Sequence, residues 1–511
     1  MTDRIRSAGA LARRMSAEQA AELIQPGMTV AMSGFTGAGY PKAVPQALAA
    51  RMEKASGGGK PFKIKVLTGA STAPELDGAL ARVEGMELRL PYQSDPAVRE
   101  RINAGTLDYI DIHLSHVAQH TWFGFFGKID VAVVEVAGVR EDGTLVPSSS
   151  VGNNKTWLEQ ADKVILEVNR WQPEALDGMH DIYYGTALPP NRMPIPLVQP
   201  DDRIGEPWLR VDPDKVIAVV ETDAPDRNTP FSPPDEASRQ IAGHLLDFLA
   251  HEIRHGRLTD RLLPLQSGVG NIANAVLAGL AEGGYSGLTA YTEVIQDGML
   301  QLIRDGVVRM ASATSFSLSP DGIEEFNANI DFYSKRILLR PQEISNHPEI
   351  IRRLGCIAMN GMIEADIYGN VNSTHITASR IMNGIGGSGD FARNGYLSVF
   401  MSPSTAKGGK VSSIVPMVSH VDHTEHDTMV LVTEQGLADL RGLSPTRRAE
   451  KIIANCAHPD FRPLLQDYFD RARRDGPGRH TPHLLGEALS WHQRLVETGD
   501  MRPAAAAAAA P

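Results

Sequence analysis

The stretch Met28-Thr29-Val30-Ala31-Met32-Ser33-Gly34-Phe35-Thr36-Gly37-Ala38-Gly39-Tyr40-Pro41-Lys42-Ala43-Val44-Pro45-Gln46-Ala47-Leu48-Ala49-Ala50-Arg51-Met52 changes character twice. Met28 to Phe35 is an apolar, β-rich run, Thr36 to Tyr40 is a glycine loop, and Pro41 opens a helix pattern that reaches Met52. Phe62 to Thr68 followed by Gly69-Ala70-Ser71 begins the same order again. Val131 to Val136, Val164 to Val168 and Val216 to Val220 are continuous apolar runs, the pattern of parallel strands covered on both faces. This half therefore reads as α/β.

Between Thr222 and Glu236 the composition shifts to Pro, Asp and Asn, with Pro225, Pro230, Pro233 and Pro234 in close order. The expected domains are 1–222, an interdomain segment 223–235, a second domain 236–502, and a low-complexity alanine tail 503–511. Glu236 to Ile253 reads as an amphipathic helix, after which strand, glycine loop and helix return from Leu262 through Gly268-Val269-Gly270 into Ala273 to Leu280. Glu135, Asp142-Gly143 and Ser148-Ser149-Ser150 are echoed by Glu364, Gly369-Asn370 and Ser373-Thr374. The expectation is two related open α/β domains with a cleft where the carboxyl ends of their strands meet.

The 511 residues, 42% apolar and 22% charged, suit a large folded chain, and the net charge of −11 gives no support to nucleic-acid binding. Two cysteines, Cys356 and Cys456, are too few for a disulfide framework and fit a reducing compartment, although either is a possible lone nucleophile. No apolar run approaches the roughly 18 residues that span a bilayer. Arg4, Arg6, Arg13 and Arg14 raise a mitochondrial leader as an alternative to a cytoplasmic chain, with Asp3 out of place in it.

Several residues carry chemistry. Glu293 follows the strand-like Leu288 to Tyr291, and Glu434 lies in Val432-Thr433-Glu434-Gln435-Gly436. Each is a candidate base, ligand or nucleophile, or an acid that only complements a helix dipole. Asn383-Gly384-Ile385-Gly386-Gly387-Ser388-Gly389 offers backbone amides to an oxyanion or phosphate. Its dinucleotide-like spacing is weakened by Asp390, Arg393 and Asn394, where an apolar helix should begin. His420, His423 and His426 with Asp422 and Asp427 are read as a polar loop and not a metal site, because no HExxH or cysteine pair accompanies them. Lys407 and Lys410 on a glycine loop suit an anionic ligand, and no GxSxG elbow is present around a plausible triad.

Together, Ser33 to Pro41, Gln266-Ser267-Gly268-Val269-Gly270-Asn271, Tyr291-Thr292-Glu293-Val294-Ile295-Gln296-Asp297-Gly298, Gly384 to Phe391, Ser402 to Lys410 and Thr433 to Gly442 resemble the class I CoA-transferases. The nearest subgroup contains succinyl-CoA:acetate CoA-transferases and proteins named acetyl-CoA hydrolases. The resemblance implies that Glu293 attacks an acyl-CoA thioester, giving an acyl-glutamyl anhydride and then a glutamyl-CoA thioester. It also implies that Val269 and Gly387 donate amides to the oxyanion, with Gly270, Gly386 and Lys407 near CoA. Asn346 and Glu434 would position the nucleophile, and Arg227 would pair with a substrate carboxylate or form a structural ion pair. The implied partners are acyl-CoA and short-chain carboxylates, acetate and succinate first and propionate or hydrolysis as alternatives. The expected enzyme is a cytoplasmic homodimer without cofactor, metal, membrane or nucleic-acid partner, CoA thioester being a substrate.

Overall fold

A computed structural model describes residues 4–59, 61–228, 233–268 and 270–503. The chain divides into two compact units, Met1–Pro230 with Gly287–Leu354, and Phe231–Ser286 with Gly355–Pro511. Both are α/β.

In the first unit, β1 (Thr29–Met32), β2 (Ile64–Leu67), β3 (Met86–Leu90), β4 (Asp108–Tyr109), β5 (Ile129–Val139), β6 (Leu145–Pro147), β7 (Ala161–Asn169) and β8 (Val216–Thr222) form one sheet. Its order is β4-β3-β2-β1-β5-β7-β8, with β6 antiparallel to β5. The neighbours along that path are all parallel. Val30, Met32, Val66, Val131, Val133 and Ile165 fill one core, so the apolar runs are buried as their continuity requires. Strand order reverses between β1 and β5, and the glycine loop leaves β1 at this switch point, where open α/β sheets place ligands. Gly34 has φ +121°, and a Cβ there would lie 2.7 Å from the Tyr40 Cβ, so the loop needs glycine at that position.

The helix after this loop, Ala43–Gly57, has no cap from its own N-cap residue, Lys42. Glu167 of β7 supplies one from across the sheet, accepting from the amides of Lys42 (2.5 Å), Ala43 (2.9 Å) and Val44 (3.0 Å). The Lys42 side chain turns inward. Its Nζ donates to Glu135 Oε2 (2.6 Å), Asp226 Oδ1 (2.8 Å) and the Tyr40 carbonyl (2.9 Å), all in the interior. Burial alone would favour loss of the Lys42 proton, but Asp226 and Glu135 outweigh it and hold the ammonium charged.

Residues 287–354 add three parallel neighbours to this unit, Leu288–Tyr291, Val308–Ala313 and Ile337–Leu339. A smaller parallel pair joins Val294–Gln296 to Ser315–Ser317. In the second unit, Leu265–Ser267, Ile357–Gly361, Leu397–Met401 and Val430–Thr433 are parallel neighbours in that order, and Gly436–Asp439 folds back antiparallel on the last. The echo seen in sequence has a structural counterpart, since β5 pairs antiparallel with β6 as Glu364–Asp366 does with Val371–Asn372. The polar loop end Asp390, Arg393 and Asn394 lies in a short helix, Ser388–Asn394, whose buried residues are Gly389, Asp390, Phe391 and Ala392. Among the described residues, no helix is long and apolar enough to cross a membrane.

Removing the charge at Lys42 strands two buried carboxylates. Lys42→Met should cost about 3–5 kcal/mol in urea unfolding. The loss should be smaller at pH 5 than at pH 8, because burial pushes Glu135 upward and it can take up the missing proton in acid. A loss under about 1 kcal/mol at both pH values would contradict this role for the triad.

Candidate active site

Glu293 sits between two strands. Leu288–Tyr291 ends beside Val308–Ala313, and Val294–Gln296 begins a separate pairing with Ser315–Ser317, so the chain steps from one strand pair to the other at Thr292-Glu293. The helix expected near Gln296 runs from Asp297 to Arg304, and the intervening strand was not legible because three residues are too few to show a period. The Glu293 carbonyl accepts from the amides of Thr314 (2.9 Å) and Ser315 (3.2 Å), which anchor the step.

The Glu293 side chain is half-buried, and its Oε1 accepts from Asn346 Nδ2 at 3.0 Å. Desolvation pushes its pKa up to about 7, with the Asn346 bond acting in the opposite direction. Asn346 follows the single turn Gln342–Ser345, whose position is set by its neighbours. Gln342 donates through N to Gly152 O (2.9 Å) and through Nε2 to Leu114 O (3.2 Å), and Tyr291 Oη donates to Ile344 O. Beside the nucleophile candidate, Val294 packs with Phe35, Ala70 and Leu114 in a small apolar cluster that Tyr92 borders. Phe35 and Ala70 come from the glycine loops after β1 and β2, so sequence segments far apart share one wall.

Arg227 is bound to the glycine loop after β1 in the same unit. Its exposed guanidinium pairs through Nε with Glu75 at 2.8 Å, while its amide donates to Gly37 O at 2.8 Å. Asp226 and Asn228 on either side of it also accept from the glycine loop, at Gly39 N (3.2 Å) and Gly37 N (3.0 Å). The partners Glu75 and Asp226 were not singled out from sequence, where no spacing signal ties them to Lys42 or Arg227.

The second unit holds the other candidates. Val269 lies outside the described residues. Gly270, at φ +118°, is the N-cap of Asn271–Glu282, Gly386 is left-handed at φ +58°, and Gly387 caps Ser388–Asn394. Glu434 follows Val430–Thr433 and accepts from Ser404 N (2.7 Å), Ser404 Oγ and Gln435 Nε2 (3.0 Å). Burial would raise its pKa, but these donors outweigh it and hold Glu434 below the ordinary value. The two candidate carboxylates therefore differ: Glu434 is tied into the base of the Ser404–Lys410 loop, whereas Glu293 has one side-chain donor among the described residues. Lys407 is exposed on that loop with φ +50°.

Asp422 accepts from Ser373 N (2.7 Å) and Thr374 Oγ1 (2.8 Å), and His423 packs tilted against Phe400 with ring centroids 4.6 Å apart. Among the described residues, no group of three or more His, Cys, Asp or Glu could hold a metal ion. Cys356 and Cys456 are both buried, and burial raises their thiols, Cys456 to about 12, so neither is poised as a nucleophile.

Residues 3–221 match the acetyl-CoA hydrolase/transferase N-terminal domain and residues 322–469 the corresponding C-terminal domain. The chain is 49% identical over 499 residues to the succinyl-CoA:acetate CoA-transferase of Clostridium kluyveri, covering 98% of this chain and 92% of that protein. It is 48% identical over 487 residues to the acetyl-CoA hydrolase of Schizosaccharomyces pombe, covering 93% of each. In fold it is similar to RipA from Yersinia pestis, with a TM-score of 0.69 at 24% identity over 90% of this chain and 97% of that one. The two domain matches follow in chain order, and the alignment with the Clostridium protein covers 98% of the chain: the chain is an enzyme of the acetyl-CoA hydrolase/transferase family.

Proposed function

We propose that this enzyme exchanges CoA between succinyl-CoA and acetate through a covalent thioester at Glu293. The observation that carries the reading is the state of that side chain: a half-buried carboxylate, desolvated to a pKa of about 7 and steadied by one amide. Desolvation makes a carboxylate a better nucleophile toward a thioester, and an ionised carboxylate needs no general base. Attack on the acyl-CoA carbonyl forms the acyl-glutamyl anhydride and expels the CoA thiolate. The thiolate then adds to the glutamyl carbonyl, forming glutamyl-CoA and expelling the first carboxylate. An incoming carboxylate runs the two steps backwards, so the acyl activation passes between acids and the Glu293 carboxylate is regenerated. No resident cofactor or metal enters this scheme.

Each addition develops an oxyanion that needs donors, a role this reading gives to the amides of Val269 and Gly387. Lys407, Gly270 and Gly386 are assigned to CoA; Arg227, paired with Glu75 at 2.8 Å, takes the structural ion-pair role and would meet a substrate carboxylate only by leaving that partner. The Clostridium relative supports acetate and succinate as the pair. Hydrolysis is the second reading, favoured by the name of the Schizosaccharomyces relative. It requires water, in place of a carboxylate, to reach the anhydride or the thioester.

Acetyl-CoA consumption should depend on succinate and yield succinyl-CoA in equal amount, with propionate as the comparison acid. Free CoA released at the same rate without any acid would establish hydrolysis instead. Incubation with acetyl-CoA alone should leave CoA on Glu293, reducible by borohydride to an alcohol that peptide mass analysis locates. Glu293→Ala should bind CoA yet lose both adduct and exchange; exchange by the folded variant would refute the assignment.

Adduct formation should fall about tenfold per unit as pH drops below about 7, because the protonated carboxyl cannot attack. The same shift has a stability signature. A folded-state pKa above the unfolded value means the folded enzyme bears the cost of a desolvated anion at high pH. Glu293→Gln should therefore melt higher than the parent at pH 8, with the difference closing towards pH 4.5. A rate independent of pH between 5 and 8 would show that Glu293 is not the titrating nucleophile.

A further inference from the structure

We propose that Ser345 is a positioning residue for the reaction at Glu293, pinning the Asn346 side-chain amide so that its Nδ2 stays aimed at the carboxylate. This rests on the reading of Glu293 as the nucleophile. Ser345 Oγ donates to Asn346 Oδ1 at 3.0 Å, and Asn346 Nδ2 donates to Glu293 Oε1 at 3.0 Å. Ser345 and Asn346 have no exposed surface, so the hydroxyl has no solvent alternative at this place.

A primary amide has nearly the same shape after a half-turn, which exchanges its oxygen and nitrogen. Reversed, Asn346 would point an acceptor at Glu293 and repel the anion, so the carboxylate selects the end of the amide it meets, and the Ser345 hydroxyl bond fixes the tilt of the amide plane. The ionised carboxylate by itself favours the correct orientation. Its pull weakens once Glu293 becomes an anhydride or thioester carbonyl, which bears no charge, and at those stages the Ser345 hydroxyl keeps the donor aimed at the glutamyl oxygen.

The frame around this relay is fixed on all sides. Gln342 is bonded to Gly152 and Leu114, Ser345 N donates to Pro341 O (3.1 Å), and Asn346 N donates to Gln342 O (2.9 Å). Charged neighbours within the unit are engaged elsewhere: Glu343 with Lys155 (3.2 Å), Arg340 with Asp181, and Asp297 with Ser319 N (3.0 Å). Burial depresses His347, the residue after Asn346, and also His116 on the helix Leu114–Trp122, while His113 stands at that helix's N-cap. The turn is thus held without the Ser345 hydroxyl, whose bond serves the orientation of Asn346.

The test uses the full-length enzyme and acetyl-CoA, following single-turnover formation of the Glu293 adduct. Ser345→Ala should slow it about tenfold, the worth of one buried hydrogen bond, with little change in acetyl-CoA binding. It should also move the pH midpoint of adduct formation upward. Ser345→Cys nearly keeps the side-chain volume but donates weakly, so it should share both losses, whereas a packing role would spare it. In an Asn346→Ala background, Ser345→Ala should add nothing further. Wild-type rate and midpoint in both folded Ser345 variants, or a slowing that persists without Asn346, would overturn the proposal. A wild-type rate for Asn346→Ala alone would remove the reading of the site on which it rests.

Discussion

The Lys42 ammonium, enclosed between Glu135 and Asp226, is the interaction on which the architecture of the first unit depends. It joins the end of the glycine loop, the long strand β5 and the 224–228 segment at one interior point. Three groups so buried cannot be rearranged one at a time, because moving any of them leaves an uncompensated charge in a medium that solvates charge poorly. Gln172 and Asn169 add donors to the same carboxylates, extending the clamp to β7 and the residues after it. The glycine loop after β1 is thereby held from beneath, and its residue Phe35 reaches the apolar cluster beside Val294.

Carboxylates in this chain show how environment assigns roles to one functional group. Glu135 is buried and paired with an ammonium, and Glu167 is buried and spent on three amides that open a helix. Glu434 is held down by Ser404 and Gln435. Of these four, Glu293 has the least compensation among the described residues, one amide against desolvation, and it is the carboxylate set at a step between strands. Chemical reactivity belongs where the charged form is least satisfied by the protein itself.

Much of the fold is legible along the chain. Val131 to Val136, Val164 to Val168 and Val216 to Val220 lie inside β5, β7 and β8 because strands buried on both faces must be apolar throughout. Glu236 to Ile253 reads as the helix that spans Glu236–Arg254, since its apolar side chains recur at helical spacing. Leu288 to Tyr291 is also a strand as read, so the place of Glu293 at a strand's carboxyl end is local information. The helix at Ser388 carries no apolar period, because its buried face includes Gly389 and the charged Asp390 beside Phe391 and Ala392.

Sequence by itself determined the α/β class, the parallel strands of the first sheet, the two glycine-loop repeats and, through its motifs, the family of the chain. These are properties of neighbouring residues, whose periodicity and turn chemistry act over a few positions. Tertiary structure alone decided that Glu293 and Asn346 meet, that Ser345 faces the amide oxygen, and that Asp226 reaches Lys42 while Glu75 reaches Arg227. It also decided that residues 287–354 pack with the first unit. The physical reason is that a pKa, an ion pair or an amide's orientation depends on which groups are brought together and on how much water is removed from them. Both are set by long-range packing, for which spacing along the chain carries no signal.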